Sequence, residues 1–220
     1  MSSRRREADS VVEGRVYRIL EVFTNLVYLN FLWLVACLPV FTIPPSTAAM
    51  FGIVREWVKG EEPPVAWRFV FIFREDFRRS LLVGVVWALI GAALAADFYV
   101  IGVMETFRRP LYVALFALAV IYACASVYLF PVMADYDVGW KNVLKNAVLF
   151  PFASPLTAAQ CLLVVGVAAF AAVTLPVTLL ISGSATAYAT YFFCEKSFRR
   201  VETLKGSVTE NQTNRRKLDE

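Results

Sequence analysis

The stretch LPVFTIPPSTAAM, Leu38 to Met50, decides how this chain is read. It closes a long apolar run and sets Pro44 and Pro45 side by side, where a membrane protein usually has a polar loop. Apolar sequence then resumes at once with Ala48, Ala49, Met50 and Phe51. Proline lacks the amide donor and clashes with the turn before it, so a helix does not run through such a pair undisturbed. The pattern predicts a full-length apolar helix bent by Pro39, a tight turn at Pro44-Pro45, and a short returning helix capped by Ser46 or Thr47.

The composition around this stretch is that of an integral membrane protein. Apolar residues make up 59% of the 220 residues and charged ones 18%, against about 45–50% apolar in a soluble domain. The charges come in short blocks separated by long uncharged stretches. A spanning helix needs about 20 apolar residues, and Val22–Ile43, Leu81–Met104, Leu111–Ala134 and Leu156–Ile181 supply them. Two shorter runs, Pro44–Val54 and Ser184–Cys194, would cover only about 16 Å as helix. Each ends in charge, Arg55 to Lys59 and Glu195-Lys196, which can snorkel to an interface.

Positive charge decides whether the short runs cross. If they do not, Arg55, Lys59, Arg68, Arg74, Arg78, Arg79, Lys141 and Lys145 fall outside; if they do, only Arg108 and Arg109 do. Lys and Arg concentrate in short cytoplasmic segments. The expected fold is therefore all-α, a polytopic transmembrane bundle of four long and two short membrane helices, with both termini cytoplasmic. Amphipathic segments around Val12–Phe23, Phe69–Ser80 and Trp140–Val148 precede the hairpins and are expected at the membrane interface. One domain, 1–196, is expected, built of three hairpin units, 8–59, 65–134 and 136–196. The polar segment 197–220 reads as a disordered tail.

Chemistry is sparse. The chain has no histidine, which removes His-based triads, general bases and most zinc or haem ligation. No phosphate loop, G-x-S-x-G or H-E-x-x-H occurs, so neither a cofactor, a catalytic residue nor a metal is expected, and nothing points to nucleic acid. Cys37, Cys124, Cys161 and Cys194 read as small hydrophobes. Leu34 to Cys37 resembles a lipoprotein cleavage box, but Asn25 and Asn30 interrupt the run before it. Asp135 with Asp137 is a weak cation site. Asp97 is the carboxylate well inside a span and reads as structural, near the outer interface. Asn25 and Asn30 read as helix glue, with Gln160 as a partner at matching depth. A sharper reading places Asn30, Ser46, Thr47, Asp97 and Ser184 around one outward polar pocket, because Leu38-Pro39-Val40 before Ser46 is echoed by Leu175-Pro176-Val177 before Ser184.

Asn30-Phe31-Leu32-Trp33-Leu34, Leu38-Pro39-Val40 and Thr42 to Ala49 resemble the signature of the YesL-like family of bacterial integral membrane proteins, N-L-x-W-L followed by L-P-x-x-T-I-G-P-A-T-A-A. Phe69–Ser80 is similar to that family's second region. Pro44 stands here for the usual Gly and Ser46 for the usual Ala. The resemblance implies a plasma-membrane location and no assigned catalytic residues. It also implies, by gene neighbourhood, an accessory role in carbohydrate transport beside a transporter or sensor partner. A small permease or channel, with its pocket at the broken short helices, is the alternative.

Overall fold

The computed structural model describes residues 20–103, 108–136, 138–175 and 178–219, with 201–219 described by their backbone alone. Every regular element in it is helical: α1 (Leu20–Ala36), α2 (Ile43–Val58), α3 (Val65–Glu75), α4 (Phe77–Val103), α5 (Arg108–Asp135), α6 (Trp140–Ala153), α7 (Pro155–Thr174) and α8 (Leu179–Asp219). Three of these are long and apolar enough to cross a membrane, α4, α5 and α7. Their outward residues fit that environment. Leu89, Val103, Val113, Phe116, Leu163, Phe170 and Val173 are all exposed, and in water such a continuous apolar surface would drive association. The described residues thus form an all-helical bundle with three helices fit to cross a membrane. The first amphipathic segment, with Val12, Val16 and Ile19, lies outside the described residues.

The opening stretch folds differently from its expected form. The run Val22–Ile43 is not one helix: α1 stops at Ala36, a bend follows, and a single 3-10 turn, Val40–Thr42, leads into α2. Pro44 and Pro45 are not the turn but the first turn of α2. The reason is general: proline's φ suits a helix, and an amide missing from the first turn has no intrahelical partner to lose. Thr42 ties off the bend, its hydroxyl donating to the carbonyls of Ala36 at 2.6 Å and Pro39 at 2.5 Å. Ser46 and Thr47 do not cap α2; their hydroxyls donate to the carbonyls of Thr42 and Ile43, one turn back. The last apolar run is corrected in the same way. Leu156–Ile181 breaks after Thr174, and α8 begins at Leu179, so Ser184 lies inside that helix and not at its start. Helix α8 also continues to Asp219, where a disordered tail is expected.

The bend between α1 and α2 sits well below the far end of α4. Gly84 of α4 lies against Pro44, so closely that a Cβ there would overlap the proline ring. From Gly84, α4 runs on to Val103, about 28 Å further at 1.5 Å per residue. The upper parts of α4 and α5 pack mainly on each other, through Leu94, Phe98, Ile101, Tyr112 and Leu115. The rest of the bundle packs around their lower halves, with Tyr128, Val132, Phe150 and Phe198 in one buried cluster and Ile53, Phe69 and Tyr191 in another.

The two amphipathic helices inside the described region play different parts. Helix α6 turns Val143, Ala147 and Phe150 into the core and Lys141 and Lys145 outward. Helix α3 buries Val65, Phe69 and Ile72 but exposes Trp67, Val70 and Phe71 beside Arg74. An aromatic and basic outer face of that kind suits a membrane interface.

The notch at Gly84 gives a direct test. Gly84→Leu should destabilise the protein by about 1–3 kcal/mol through overpacking against Pro44. Gly166→Leu, at a glycine with open space around it, should leave the unfolding temperature in detergent within about a degree of the parent, as surface changes do.

Candidate functional site

Two polar constellations stand out, one at the level of the helix breaks and one about 18 Å further along α2 and α8. The first gathers most of the residues the sequence singles out. Asn30 is fully buried on α1, and its Oδ1 accepts the backbone N–H of Ser184 at 3.1 Å. The Ser184 hydroxyl donates to the Leu26 carbonyl at 2.8 Å. Three residues along the same face of α1, Trp33 donates from Nε1 to the Thr47 hydroxyl at 3.2 Å and packs toward Gly183. Helix α1 is therefore pinned to α8 by Asn30 and to α2 by Trp33. That spacing of three places both side chains on one helical face. Only glycine fits at 183, because a Cβ there would collide with the Asn30 carboxamide.

This arrangement is packed, not open. Asn30, Ser46 and Ser184 are all at 0% exposure, and none of them lines the polar cavity between α2, α3 and α5 or the apolar hollow at Asp97. The partner of Asn30 is Ser184 and not Gln160, which is exposed. Asp97 is not part of the group. It is exposed on α4, on a shallow apolar hollow of about 340 Å³ with Val100, Ile101, Leu111 and Leu115. The shared-pocket expectation thus resolves into two unrelated places, because the breaks lie low on the bundle and Asp97 lies on the protruding part of α4.

The second constellation was only half visible in the sequence. Asp135, at the end of α5, accepts from Arg55 Nε at 3.1 Å, Lys59 Nζ at 2.7 Å and Tyr191 Oη at 3.0 Å. Helix α2 and the first part of α8 therefore meet on one carboxylate. Ile43 to Arg55 on α2 and Leu179 to Tyr191 on α8 are equal in length, about 18 Å each. Beside them Glu56, 4% exposed, accepts from Arg68 Nε of α3 at 2.7 Å. That hydrogen bond raises the Arg68 guanidinium above its already high ordinary pKa, so Arg68 is cationic at any working pH. Arg79 at the start of α4 donates to the Tyr136 carbonyl at 2.6 Å and lies beside Asp76 at 3.5 Å. Arg55, Glu56 and Lys59 were legible as a snorkelling helix end. Their pairing was not, since partners 76 and 80 positions away carry no local signal.

The cluster does not read as a metal centre. The Asp135 oxygen is already occupied by two cationic side chains, Asp137 lies outside the described residues, and no grouping of three or more metal-ligating side chains occurs among the described residues.

Removing the acceptors should separate the two constellations. Asn30→Ala leaves the Leu26–Ser184 region with a cavity and a lost acceptor, and should cost about 1–3 kcal/mol. Asp135→Asn leaves partly exposed cations unpaired and should cost about 1 kcal/mol, discounted for their contact with solvent. Asp97→Asn should be neutral to within about 0.5 kcal/mol. Denaturation of the purified variants checks all three.

Residues 26–98, which hold the Asn30–Trp33 face, the bend and the Glu56–Arg68 pair, match the family described as "Protein of unknown function, DUF624". The chain is 35% identical to the uncharacterized protein YesL of Bacillus subtilis (strain 168) over 136 residues, 60% of this chain and 64% of that protein. It is 33% identical to YteU of the same organism over 135 residues, 60% of each chain. A third relative, YesV, is 25% identical over 199 residues, 88% of this chain and 96% of its own length. The chain thus spans less than two thirds of the first two relatives. No solved structure matches. The signature stretch and these relatives agree: the chain is similar to the YesL-like proteins, and its residues 26–98 to the DUF624 family.

Proposed function

We propose that this is a non-enzymatic, multi-pass protein of the bacterial plasma membrane whose charged end docks a transporter or sensor protein in the same membrane. The observation that carries the reading is the distribution of polar chemistry. Arg55, Lys59, Arg68, Arg79, Asp76 and Asp135 pair at one end of the bundle, while the buried polar groups higher up satisfy one another. The positive residues of α2, α3, α4 and α6 cluster at that end, which favours a cytoplasmic position for it and for both termini. The link to carbohydrate transport rests on the family resemblance alone.

A permease or channel is the second reading. It is favoured by short helices that begin at a common level within the bundle, a frequent sign of a transport site. It is opposed by the complete burial of Asn30, Ser46 and Ser184.

Two measurements separate these readings. Cysteines placed at Glu62 and Gly139 should resist an impermeant thiol reagent in intact cells and react in broken ones. A photo-crosslinking residue at Glu62, Arg74 or Lys145 should then capture one defined membrane protein, and Asp135→Asn should weaken that capture several-fold. Proteoliposomes of the pure protein should show no solute flux above empty vesicles. Saturable flux, or labelling of position 62 from outside, would overturn the docking proposal.

A further inference from the structure

Between α2, α3 and α5 lies a half-open cavity of about 130 Å³, lined by Arg55, Glu56, Arg68, Glu75 and Asp76 with the small residues Ala48 and Gly52 at its base. Its polar groups are unevenly satisfied. The Arg55 guanidinium donates to Asp135, and the Arg68 guanidinium to Glu56 Oε1. Asp76 is met by Arg79. The second oxygen of Glu56 has no hydrogen-bond partner among the described residues, although the Glu56 side chain is only 5% exposed. A buried carboxylate oxygen left without a donor is costly, more so than a neutral acceptor. Glu75, exposed at the rim, adds a further negative charge near Arg68.

The unmet need in this cavity is therefore a positively charged hydrogen-bond donor. We propose that the cavity is a binding site for a small amine in its ammonium form, with one N–H donated to Glu56 Oε2 and the charge balanced by Glu75. Arg55, Arg68 and Asp76 of the lining already have partners, so the incoming cation meets the one buried carboxylate oxygen, Glu56 Oε2, that has no donor among the described residues. A divalent metal does not suit the place. Calcium or magnesium would need six or more oxygen ligands, no grouping of three or more metal-ligating side chains occurs among the described residues, and the Arg68 guanidinium sits 2.7 Å from the neighbouring Glu56 oxygen. An anion would face three carboxylates, Glu56, Glu75 and Asp76. The volume is far above the space of about 10–15 Å³ that one water needs, so the site has room for an organic amine of several heavy atoms. The inference stands independently of the docking proposal, since it uses neither the orientation of the chain nor a partner protein.

The test uses the full chain in detergent micelles or nanodiscs, with methylammonium chloride as the probe and tetramethylammonium chloride at equal ionic strength as the control lacking N–H donors. Saturation-transfer NMR should show the methylammonium methyl group bound, and the unfolding temperature should rise with methylammonium concentration but not with tetramethylammonium. Glu56→Gln, which removes the charge but keeps the shape, should weaken the apparent affinity about tenfold or more. Glu75→Gln, at an exposed position that does not threaten the fold, should weaken it several-fold and decides the matter if Glu56→Gln does not fold. Equal responses to the two salts, no saturation transfer, or an unchanged affinity in Glu75→Gln would overturn the proposal and leave the cavity to water.

Discussion

The structure depends on how backbone polar groups are satisfied where helices stop inside an apolar surrounding. A helix end carries four unpaired N–H or C=O groups, and in hydrocarbon none can be left to solvent. The bend after α1 meets that constraint with its own residues. Thr42 closes the carbonyls of Ala36 and Pro39, and two prolines open α2 so that its first turn presents fewer free donors. Once the bend is sealed, it can sit against Gly84, low on α4, and the returning helix needs to be only long enough to reach the charged end. The 3-10 turn, the proline pair, the glycine notch and the Thr42 hydroxyl are thus parts of one solution.

The same constraint explains the signature residues of the first third of the chain. Asn30 and Trp33 are polar groups on an apolar helix, and each finds its partner on a different neighbour, Ser184 on α8 and Thr47 on α2. Interhelical hydrogen bonds of this type contribute modestly in energy, about 0.6–2 kcal/mol each, but they fix rotation and depth. Held in this way, α2 and α8 arrive together at Asp135 with Arg55, Lys59 and Tyr191 in register. The functional proposals both concern the end of the bundle that this register assembles, while the upper part of α4 and α5 adds mainly apolar surface, with Asp97 exposed on it.

Much of this was legible in the sequence. Composition points to a membrane protein, and Pro39 marks the place where the first apolar run breaks. The amphipathic period marked α3 and α6. What was misread was the role of Pro44-Pro45, because proline suits a turn and a first helical turn equally well, and only the tertiary notch at Gly84 distinguishes them. Ser46, Thr47 and Ser184 look like caps because small hydroxyl residues follow each break; in the fold they bond one turn back or across to α1. Matching depth pairs Asn30 with Gln160, yet depth does not fix which face of a helix looks inward. Glu56 reads only as part of a charged helix end, and its burial under α3 carries no local signal.

The central claim is that the α1–α2 bend lies inside the apolar layer, well short of the far end of α4. Nitroxide labels at Val40 and Val103, both exposed in the bundle, report depth directly through collision with oxygen and with a water-soluble nickel complex in liposomes. The account predicts that the label at 40 is shielded from nickel and deeper than the label at 103 by on the order of 10 Å or more, given the length of α4 beyond Gly84. Equal depths for the two labels, with both open to nickel, would mean that the first hairpin spans the bilayer fully, and would contradict the account.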